Sequence, residues 1–473
     1  MPPGAPPPTT PDPEPDEGGE ARSDAAEAGS AIRHAIPLAI AAALVGLVSL
    51  LTTVFVAHVL TTRGYGTLIV LLGLFLVVSM PGSALLVGVV RRASAWEARG
   101  LGGRIKPWVA RIHRIGEVSL LGMAVAMWLL RVPVAHALNL RGPSGVAEIL
   151  TAGGVWILVS IDRGLLQVRR DYLHLSVNLV LEATMRCALT IGMAAELGIE
   201  GAALGILIAE LVTATHARLS AARALARAPD ITREAPAEEI PEIGVEATGG
   251  AVALSVHGGK DLLADVLTAL GSLVLLAVLQ NADVILLGSK APHHSGSYAA
   301  ISVPAKALVF GALVLVNYLL PEATIRHQQG LHALRQLGHT FLVLSLPCTV
   351  LLVAAVFVPR RLLGLVFGHR LTAAASAFST LVLAMILLSV TVVLAVYLLG
   401  VGWRWVVAVL AAGTGALVAA AALAGGRYTS TARADLFVQV GLAGTMALCF
   451  VVAHRQTARR RAGPAGALAG PLS

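Results

Sequence analysis

The stretch 279–290, LQNADVILLGSK, places Gln280, Asn281 and Asp283 inside an apolar run that begins near Leu262. About 20 mostly apolar residues are enough to cross a bilayer as a helix. A carboxylate inside such a helix is costly unless it faces a partner, a cavity or an aqueous interface. The stretch therefore predicts a membrane helix with an inward polar face, and it raises the question of what the carboxylate contacts.

The rest of the chain repeats this apolar pattern. Of its 473 residues, 56% are hydrophobic and 13% are charged, and the mean hydropathy is +0.79, which is far from a soluble domain. The predicted spans are 36–60, 68–90, 115–137, 147–166, 173–197 and 201–220, then 262–288, 298–320, 340–358, 371–399, 405–424 and 435–453. We therefore predict an all-α polytopic membrane protein of about twelve helices, in two six-helix bundles related by a pseudo-two-fold axis along the membrane normal.

Polar and charged segments divide the chain and orient it. The predicted parts are a disordered cytoplasmic tail (1–34), a six-helix bundle (35–220), a cytoplasmic linker (221–261), a second bundle (262–454) and a basic cytoplasmic tail (455–473). Most Lys and Arg residues fall on one side when both termini are cytoplasmic, as the positive-inside rule requires. We therefore expect a multi-pass protein of the cytoplasmic (inner or plasma) membrane. The net charge of +8 serves orientation, and nucleic acid is not an expected partner.

Two loops at corresponding places in the halves resemble each other. The loop HVLTTRGYGTL after the first span has Tyr65 between two glycines, and KAPHHSGSYAAI after the seventh has Gly296 and Tyr298 in the same place. Six helices per half require the repeats to run parallel. The loops therefore favour a duplicated six-helix unit.

A polar stripe lies on the fifth predicted span. Asn178, Glu182 and Arg186 are spaced at i, i+4 and i+8, which places them on one helical face, at depths that bracket the bilayer midplane. They are candidate residues of a substrate cavity. Either an internal Glu182–Arg186 ion pair that fixes the helix to a neighbour or a substrate-facing role explains the stripe, and both turn it away from lipid.

The second half supplies four more candidates for the cavity, Asn281, Asp283, Lys306 and Asn317. Lys306 and Asn317 share a face of the eighth span, and the depths of Lys306 and Asp283 differ by about 5 Å, so these two can pair. A structural ion pair, a proton- or sodium-sensitive switch and a substrate contact all remain open. No cofactor and no metal site are expected, and a coupling ion would be H⁺ or Na⁺.

Asp162 and Arg163 are candidates for the cytoplasmic mouth, where a salt bridge or a lipid headgroup contact accounts for them. The sequence has no nucleotide-binding loop, no zinc-protease motif and no serine-hydrolase motif, so an enzyme is not expected. We expect the charged side chains of the fifth, seventh and eighth spans to converge on one shared cavity between the bundles.

Four segments resemble a known family. They are RGYGTL (63–68), RGLLQVRRDYLHLSVNLVLEATMR (163–186), GIEGAALGILIAELV (198–212) and QNADVILLGSKAPHHSGSYAAISVPAKALVF (280–310). With them the chain resembles the multidrug/oligosaccharidyl-lipid/polysaccharide (MOP) exporter superfamily, in its polysaccharide (lipid-linked oligosaccharide) flippase branch. The resemblance implies that a lipid-linked saccharide is flipped to the outer leaflet by alternating access during cell-surface polysaccharide biosynthesis.

The resemblance also implies partners and residue roles. The partners are a lipid-linked oligosaccharide, membrane lipids, and a glycan polymerase or glycosyltransferases. In such flippases the Asn281-x-Asp283 element ends the seventh helix at the cavity between the bundles. Arg186 and Lys306, taken as the two deep basic side chains, would meet the pyrophosphate, which favours Arg and Lys.

Two other functions fit the sequence. A cation-coupled multidrug or metabolite antiporter of the same superfamily would need a carboxylate-lined cavity, whereas the deep charges here are of both signs. A non-transporting membrane scaffold for glycan assembly would use its ion pairs only for structure.

Overall fold

The computed structural model describes residues 40–41, 44–140, 142–227, 259–328, 334–400, 403 and 405–462. Within these ranges the chain is helical with short turns and contains no strand. The helices are α1 (Leu44–Val59), α2 (Thr62–Ala98), α3 (Ile105–Ala137), α4 (Val146–Val168), α5 (Tyr172–Ala226), α6 (Gly259–Lys290), α7 (Ser295–Gln328), α8 (Leu334–Phe357), α9 (Pro359–Phe367), α10 (Phe378–Gly400), α11 (Val406–Leu423) and α12 (Tyr428–Ala462). The predicted tail 1–34 lies outside the described residues, as do most of the linker and the end of the basic tail.

All twelve predicted spans have a helical counterpart. Ten helices in the described ranges are long and apolar enough to cross a membrane, and α1 is a shorter apolar helix. The fifth and sixth spans are both contained in α5, whose 55 residues are interrupted at Gly198 (φ 63°, ψ −134°). Glycine adopts this backbone conformation without steric cost, so the chain bends there into a first arm (172–197) and a second arm (199–226). The predicted fold class is confirmed.

Several predicted boundaries shift. The span 371–399 begins as a 3-10 helix, His369–Ala377, before α10, and it is preceded by the short helix α9, which was not predicted. Gly368, with a φ of 87°, separates the two elements. The helices α5 and α6 also extend into the predicted linker from both sides, because the apolar pattern that marks a span ends before the helical backbone does.

Large apolar side chains cover the outer surface of the bundle. On α3 the exposed side chains include Leu121 and Trp128, and on α8 they include Leu342 and Leu346. Monomeric soluble proteins rarely expose such a continuous apolar surface. The distribution is that of a helical bundle surrounded by lipid.

The two halves meet where α1 ends and α2 begins. A Cβ atom on Gly66 of α2 would clash with Ser295 and Gly296 of α7, and a Cβ on Gly296 would clash with the carbonyl group of Thr62. The backbones are therefore in direct contact at these glycines. They belong to the two Gly/Tyr loops that the sequence pairs as repeats, so equivalent segments of the halves meet at this point.

Further contacts close the same end of the molecule. Arg370 Nη2 of the 3-10 helix donates hydrogen bonds to the carbonyl oxygens of Ala57 (2.6 Å) and His58 (2.8 Å), in the last turn of α1. The rings of Tyr65 and Phe367 lie 6.3 Å apart. A guanidinium group stabilises the unpaired carbonyls at a helix C-terminus. We call this region, where the halves are closed against each other, the sealed end.

Candidate functional site

A cavity of about 160 Å³ lies within the N-terminal half, between α1, α2 and α5. From α1 the hydroxyl-bearing residues Ser49, Thr52 and Thr53 line it, and from α5 Glu182 and Arg186 do so. The remaining lining residues are Val45, Val56, Tyr65, Leu68, Ile69, Leu72, Ala183, Thr190 and Ile206. The cavity is therefore apolar with a charged patch, which suits an amphipathic ligand.

Four charged side chains form a continuous chain beside this cavity. Arg163 Nη2 of α4 lies 2.5 Å from Glu182 Oε2, and Arg186 Nη2 lies 2.6 Å from Glu182 Oε1. Arg186 also pairs with Glu210 on the second arm of α5. The order Arg163, Glu182, Arg186, Glu210 alternates in sign and balances in charge, and we call it the N-terminal ion chain.

Asn178 anchors this chain to its surroundings. Its Oδ1 accepts a hydrogen bond of 2.8 Å from Arg163 Nε, and its Nδ2 donates to the carbonyl oxygen of Thr213 at 3.0 Å. The Asn178 Nδ2 atom also lies 3.1 Å from His216 Nδ1. Asn178 is fully buried, so it joins α4 to both arms of α5 and does not line the cavity. The predicted Glu182–Arg186 pair is confirmed. Asn178, predicted to line the cavity, instead bonds to α4 and to the second arm of α5.

The members of the ion chain differ in how much they face the cavity. The side chain of Arg186 is 28% exposed, against 13% for Glu182, 6% for Arg163 and 0% for Glu210. Both ion pairs of Arg186 use Nη2, and its guanidinium group lies 5.3 Å from the Phe75 ring centroid. A guanidinium group has five donors on three nitrogens, so Arg186, as the most exposed member, is the one best placed to donate toward the cavity.

The two residues predicted at the cytoplasmic mouth have other partners. Arg163 is buried in the N-terminal ion chain, so a third basic side chain lies deep in the spans beside Arg186 and Lys306. Asp162 is also buried, and its carboxylate oxygens lie 3.1 and 3.2 Å from His113 Nε2 of α3. The expected salt bridge is met by Arg163 with Glu182, and Asp162 contacts His113, whereas the burial of both side chains does not fit a headgroup contact. Adjacent residues on α4 point to different neighbours, which sequence spacing alone does not show.

The C-terminal half contains a second cluster. Lys306 Nζ of α7 lies 3.0 Å from Asp283 Oδ1 of α6, so the pairing expected from depth is confirmed. The hydroxyl group of Tyr298 donates to Asp283 Oδ2 at 3.1 Å. This answers the question raised by the LQNADVILLGSK stretch, because its carboxylate contacts a lysine and a tyrosine.

Asp435 and Gln439 of α12 complete this cluster and were not predicted. Gln439 Nε2 donates to Asp435 Oδ1 at 3.1 Å, and Asp435 lies close enough to Asp283 and Lys306 for electrostatic interaction. The signal in the sequence was an Asp and a Gln at i, i+4, but Asp435 was treated as the boundary of its span. We call Asp283, Tyr298, Lys306, Asp435 and Gln439 the C-terminal cluster.

The expectation of one cavity shared by the charged residues of both halves stays a prediction. The cavity beside the N-terminal ion chain is lined by the N-terminal half alone, whereas Asp283 and Lys306 are buried in the other half. The amide of Asn281 donates to the carbonyl oxygen of Ala277 in its own helix at 2.9 Å. The side chain of Asn317 lies outside the described residues. Among the described residues, no group of three or more His, Cys, Asp and Glu side chains is arranged to hold a metal ion.

The chain resembles known proteins in structure and not in sequence. No protein-family model and no curated protein sequence matches the chain. An inward-facing structure of a multidrug resistance MATE family transporter of the MOP superfamily superposes with a TM-score of 0.63 at 12% identity, covering 87% of this chain and 96% of that one. An outward-facing structure of a transporter of the same description gives 0.55 at 14% identity, covering 90% and 95%.

A third solved structure, a MOP superfamily transporter from Pyrococcus furiosus, gives a TM-score of 0.54 at 14% identity and covers 90% of this chain and 94% of that one. It is described as having a binding pocket of reverse polarity that suggests a different function. These similarities extend over nearly the whole length of each chain. The chain therefore has the fold of MOP-superfamily transporters.

Proposed function

We propose that this protein is a secondary transporter that flips a lipid-linked saccharide across the cytoplasmic membrane by alternating access, as a step of cell-surface polysaccharide biosynthesis. The observation that carries the proposal is the position of Arg186 in the cavity. It is the most exposed member of a charge-balanced ion chain, it lines the cavity, and both of its ion pairs use the same nitrogen, Nη2. Guanidinium groups bind phosphate and pyrophosphate through charge-assisted hydrogen bonds, so this cavity favours an anionic headgroup.

The position of α1 supports a substrate with a lipid tail. One face of α1 lines the cavity through Ser49 and Thr52, while Leu47, Leu51 and Phe55 are exposed on its outer side. A single helix therefore separates the cavity from the surrounding lipid. Movement of α1 would let a headgroup enter the cavity while the apolar tail stays in the bilayer, where it costs least free energy.

The sealed end supports alternating access. The halves touch through backbone at Gly66 and Gly296, and Arg370 joins the C-terminal half to the last turn of α1. A closed contact between the halves at one end is one part of the geometry that alternating access requires. The TM-score is also higher with the inward-facing transporter structure than with the outward-facing one. With both termini cytoplasmic, the sealed end would be the outer end.

The alternative is a cation-coupled multidrug or metabolite antiporter. Several structural neighbours favour it, since they are described as MATE family multidrug transporters. A cationic substrate would need carboxylates toward the cavity, yet Glu210 is fully buried and Glu182, which lines the cavity, is 13% exposed against 28% for Arg186. The greater exposure of the arginine supports the flippase. A coupling ion, H⁺ or Na⁺, is compatible with either function.

The test is a deletion strain that is assayed for surface glycan and for lipid-linked oligosaccharide held in the inner leaflet. We expect loss of the glycan and accumulation of the lipid-linked unit, both reversed by the wild type and not by Arg186→Ala. The matched control is Arg131→Ala, since Arg131 lies over the Trp128 ring (4.6 Å) on exposed α3, away from the cavity.

Each outcome separates the candidate functions. If no lipid-linked unit accumulates while cells lose efflux of cationic dyes, the antiporter replaces the flippase. If Arg186→Ala restores the glycan fully at wild-type abundance, the scaffold replaces both, because a scaffold needs no cavity arginine. A glycan polymerase or glycosyltransferases would be the expected partner proteins for the flippase.

A further inference from the structure

A second concave surface lies outside the transport cavity, at the end of the bundle opposite the sealed end. It is an open groove of about 260 Å³ between the start of α3, the end of α4 and the second arm of α5. Val109, Leu165 and Leu225 form apolar walls, with Ala110 and Ala222 between them. It shares no residue with the transport cavity.

The rim of the groove is cationic. Lys106 of α3 and Arg218 of α5 line it from opposite sides, and both are exposed. Arg218 also lies 3.4 Å from Glu117, which is further along α3 than Lys106. This pair is exposed, and exposed pairs contribute little, so Arg218 can exchange this carboxylate for an anion in the groove.

The base of the groove is a buried His113–Asp162 pair. His113 Nδ1 lies 3.0 Å from the carbonyl oxygen of Val109, and Nε2 lies 3.1 Å from the carboxylate of Asp162. Both side chains line the groove, so its base is polar where its walls are apolar.

Aromatic residues place the mouth of the groove at the membrane surface. Trp96 at the end of α2 and Trp108 at the start of α3 form an edge-to-face pair with centroids 5.2 Å apart. The guanidinium group of Arg92 lies 4.9 Å from the Trp96 ring centroid. Tryptophan and arginine concentrate at the headgroup level of a bilayer. Lys106 lies within one helical turn of Trp108, at the same level.

We propose that this groove is a binding site for an anionic phospholipid, with the phosphate between Lys106 and Arg218 and an acyl chain along Val109, Leu165 and Leu225. Charge complementarity argues for this occupant, because basic pockets between membrane helices bind anionic headgroups. The site is independent of the proposed transport substrate, since the groove and the cavity have no residue in common.

The test is native mass spectrometry of the full-length purified protein, titrated with phosphatidylglycerol or phosphatidylcholine. We expect Lys106→Gln with Arg218→Gln to weaken the tightest phosphatidylglycerol binding about ten-fold or more. The matched control, Arg111→Gln with Arg114→Gln, removes two exposed cations of α3 that do not line the groove. The control should change the affinity less than about three-fold.

A second variant tests the groove without changing charge. Ala222→Trp fills the space between the walls and should abolish the tightest binding, whereas Leu121→Trp, on the exposed face of α3, should leave it unchanged. Equal losses in the charge pair and its control would overturn the proposal in favour of general surface electrostatics. If Ala222→Trp does not fold, the two charge pairs decide.

A third titration with a polyprenyl phosphate distinguishes the source of the phosphate. Phosphatidylglycerol should compete for the groove at least as well as the polyprenyl phosphate. The phospholipid assignment would be overturned if polyprenyl phosphate displaced phosphatidylglycerol at a ten-fold lower concentration and its own binding was lost in Ala222→Trp. The groove would then be a docking site for a lipid carrier.

Discussion

The N-terminal ion chain and the C-terminal cluster use buried charge in different ways. In the N-terminal half the charges alternate across three helical segments, and the two middle members line a cavity, where Arg186 is 28% exposed. In the C-terminal half the side chains of Lys306 and Asp283 are 9% and 0% exposed, and a tyrosine caps the carboxylate. One half presents charge to a cavity and the other encloses it. The comparison teaches that an intramembrane charge marks a site only where it reaches a cavity.

The largest effect is expected at the enclosed pair. Asp283→Asn leaves Lys306 buried without its closest carboxylate, which should cost about 3 kcal/mol or more of stability. Thermal unfolding in detergent, followed by loss of monodisperse protein, measures this. Asp283→Asn with Lys306→Met should recover most of the loss, since no lone charge remains. A stable Asp283→Asn protein that only fails to transport would show that this cluster is a functional site.

The next effect separates anchoring residues from cavity residues within the N-terminal half. Asn178→Leu removes the partner of Arg163 Nε and of the Thr213 carbonyl, which should cost about 2 kcal/mol. The matched control is Ser176→Ala on the same helix, because the buried Ser176 hydroxyl has no hydrogen-bond partner within the described part of the chain. The same unfolding measurement should show little change for the control. Equal stability of both variants would remove Asn178 as an anchor.

A smaller change in the free energy of unfolding is expected when the cavity arginine is replaced, because its main effect is on transport. Arg186→Gln with Glu210→Gln removes both partners at once, so stability should change by no more than about 1 kcal/mol. Restoration of surface glycan in the deletion strain should fall about ten-fold, because the anion-binding donor is gone. Full glycan export by this double variant, at wild-type abundance, would contradict the assignment of Arg186 to the substrate cavity.

The smallest effect is expected at Asp435. Asp435→Asn keeps an oxygen to accept from Gln439 and removes a negative charge close to Asp283, so stability should stay within about 1 kcal/mol of the wild type or rise. Thermal unfolding again measures the change. A loss as large as that of Asp283→Asn would instead identify Asp435 as a required partner of Lys306.

Much of the fold was predictable because each membrane-spanning helix needs a run of about 20 apolar residues. Lipid also requires every backbone N–H and C=O group of the span to be hydrogen-bonded within the helix. The continuous apolar pattern does not show where the backbone changes conformation. Gly198 joins two predicted spans into one bent helix, and the 3-10 segment before α10 looks like the start of a span. These features depend on backbone angles and packing.

The candidate site was predictable where both partners lie on one helix or at one depth. The i, i+4 spacing gave Glu182–Arg186, and equal depth gave Asp283–Lys306. The partner of Arg163 was not predictable, because it depends on the rotation of α4 against α5. The separation of the two charge clusters was missed for a similar reason. Depth in the membrane can be estimated from sequence, but the lateral position of a helix in the plane of the membrane cannot.

The contact between Gly66 and Gly296 limits how the two halves can change in evolution. A methyl group added to either glycine meets the backbone of the other half. The two glycines are not at equivalent positions of the repeat, since Gly66 follows Tyr65 by one residue and Gly296 precedes Tyr298 by two. If the halves arose by duplication, each copy must therefore have fixed its own glycine at this crossing, because neither can gain a side chain there without forcing the halves apart.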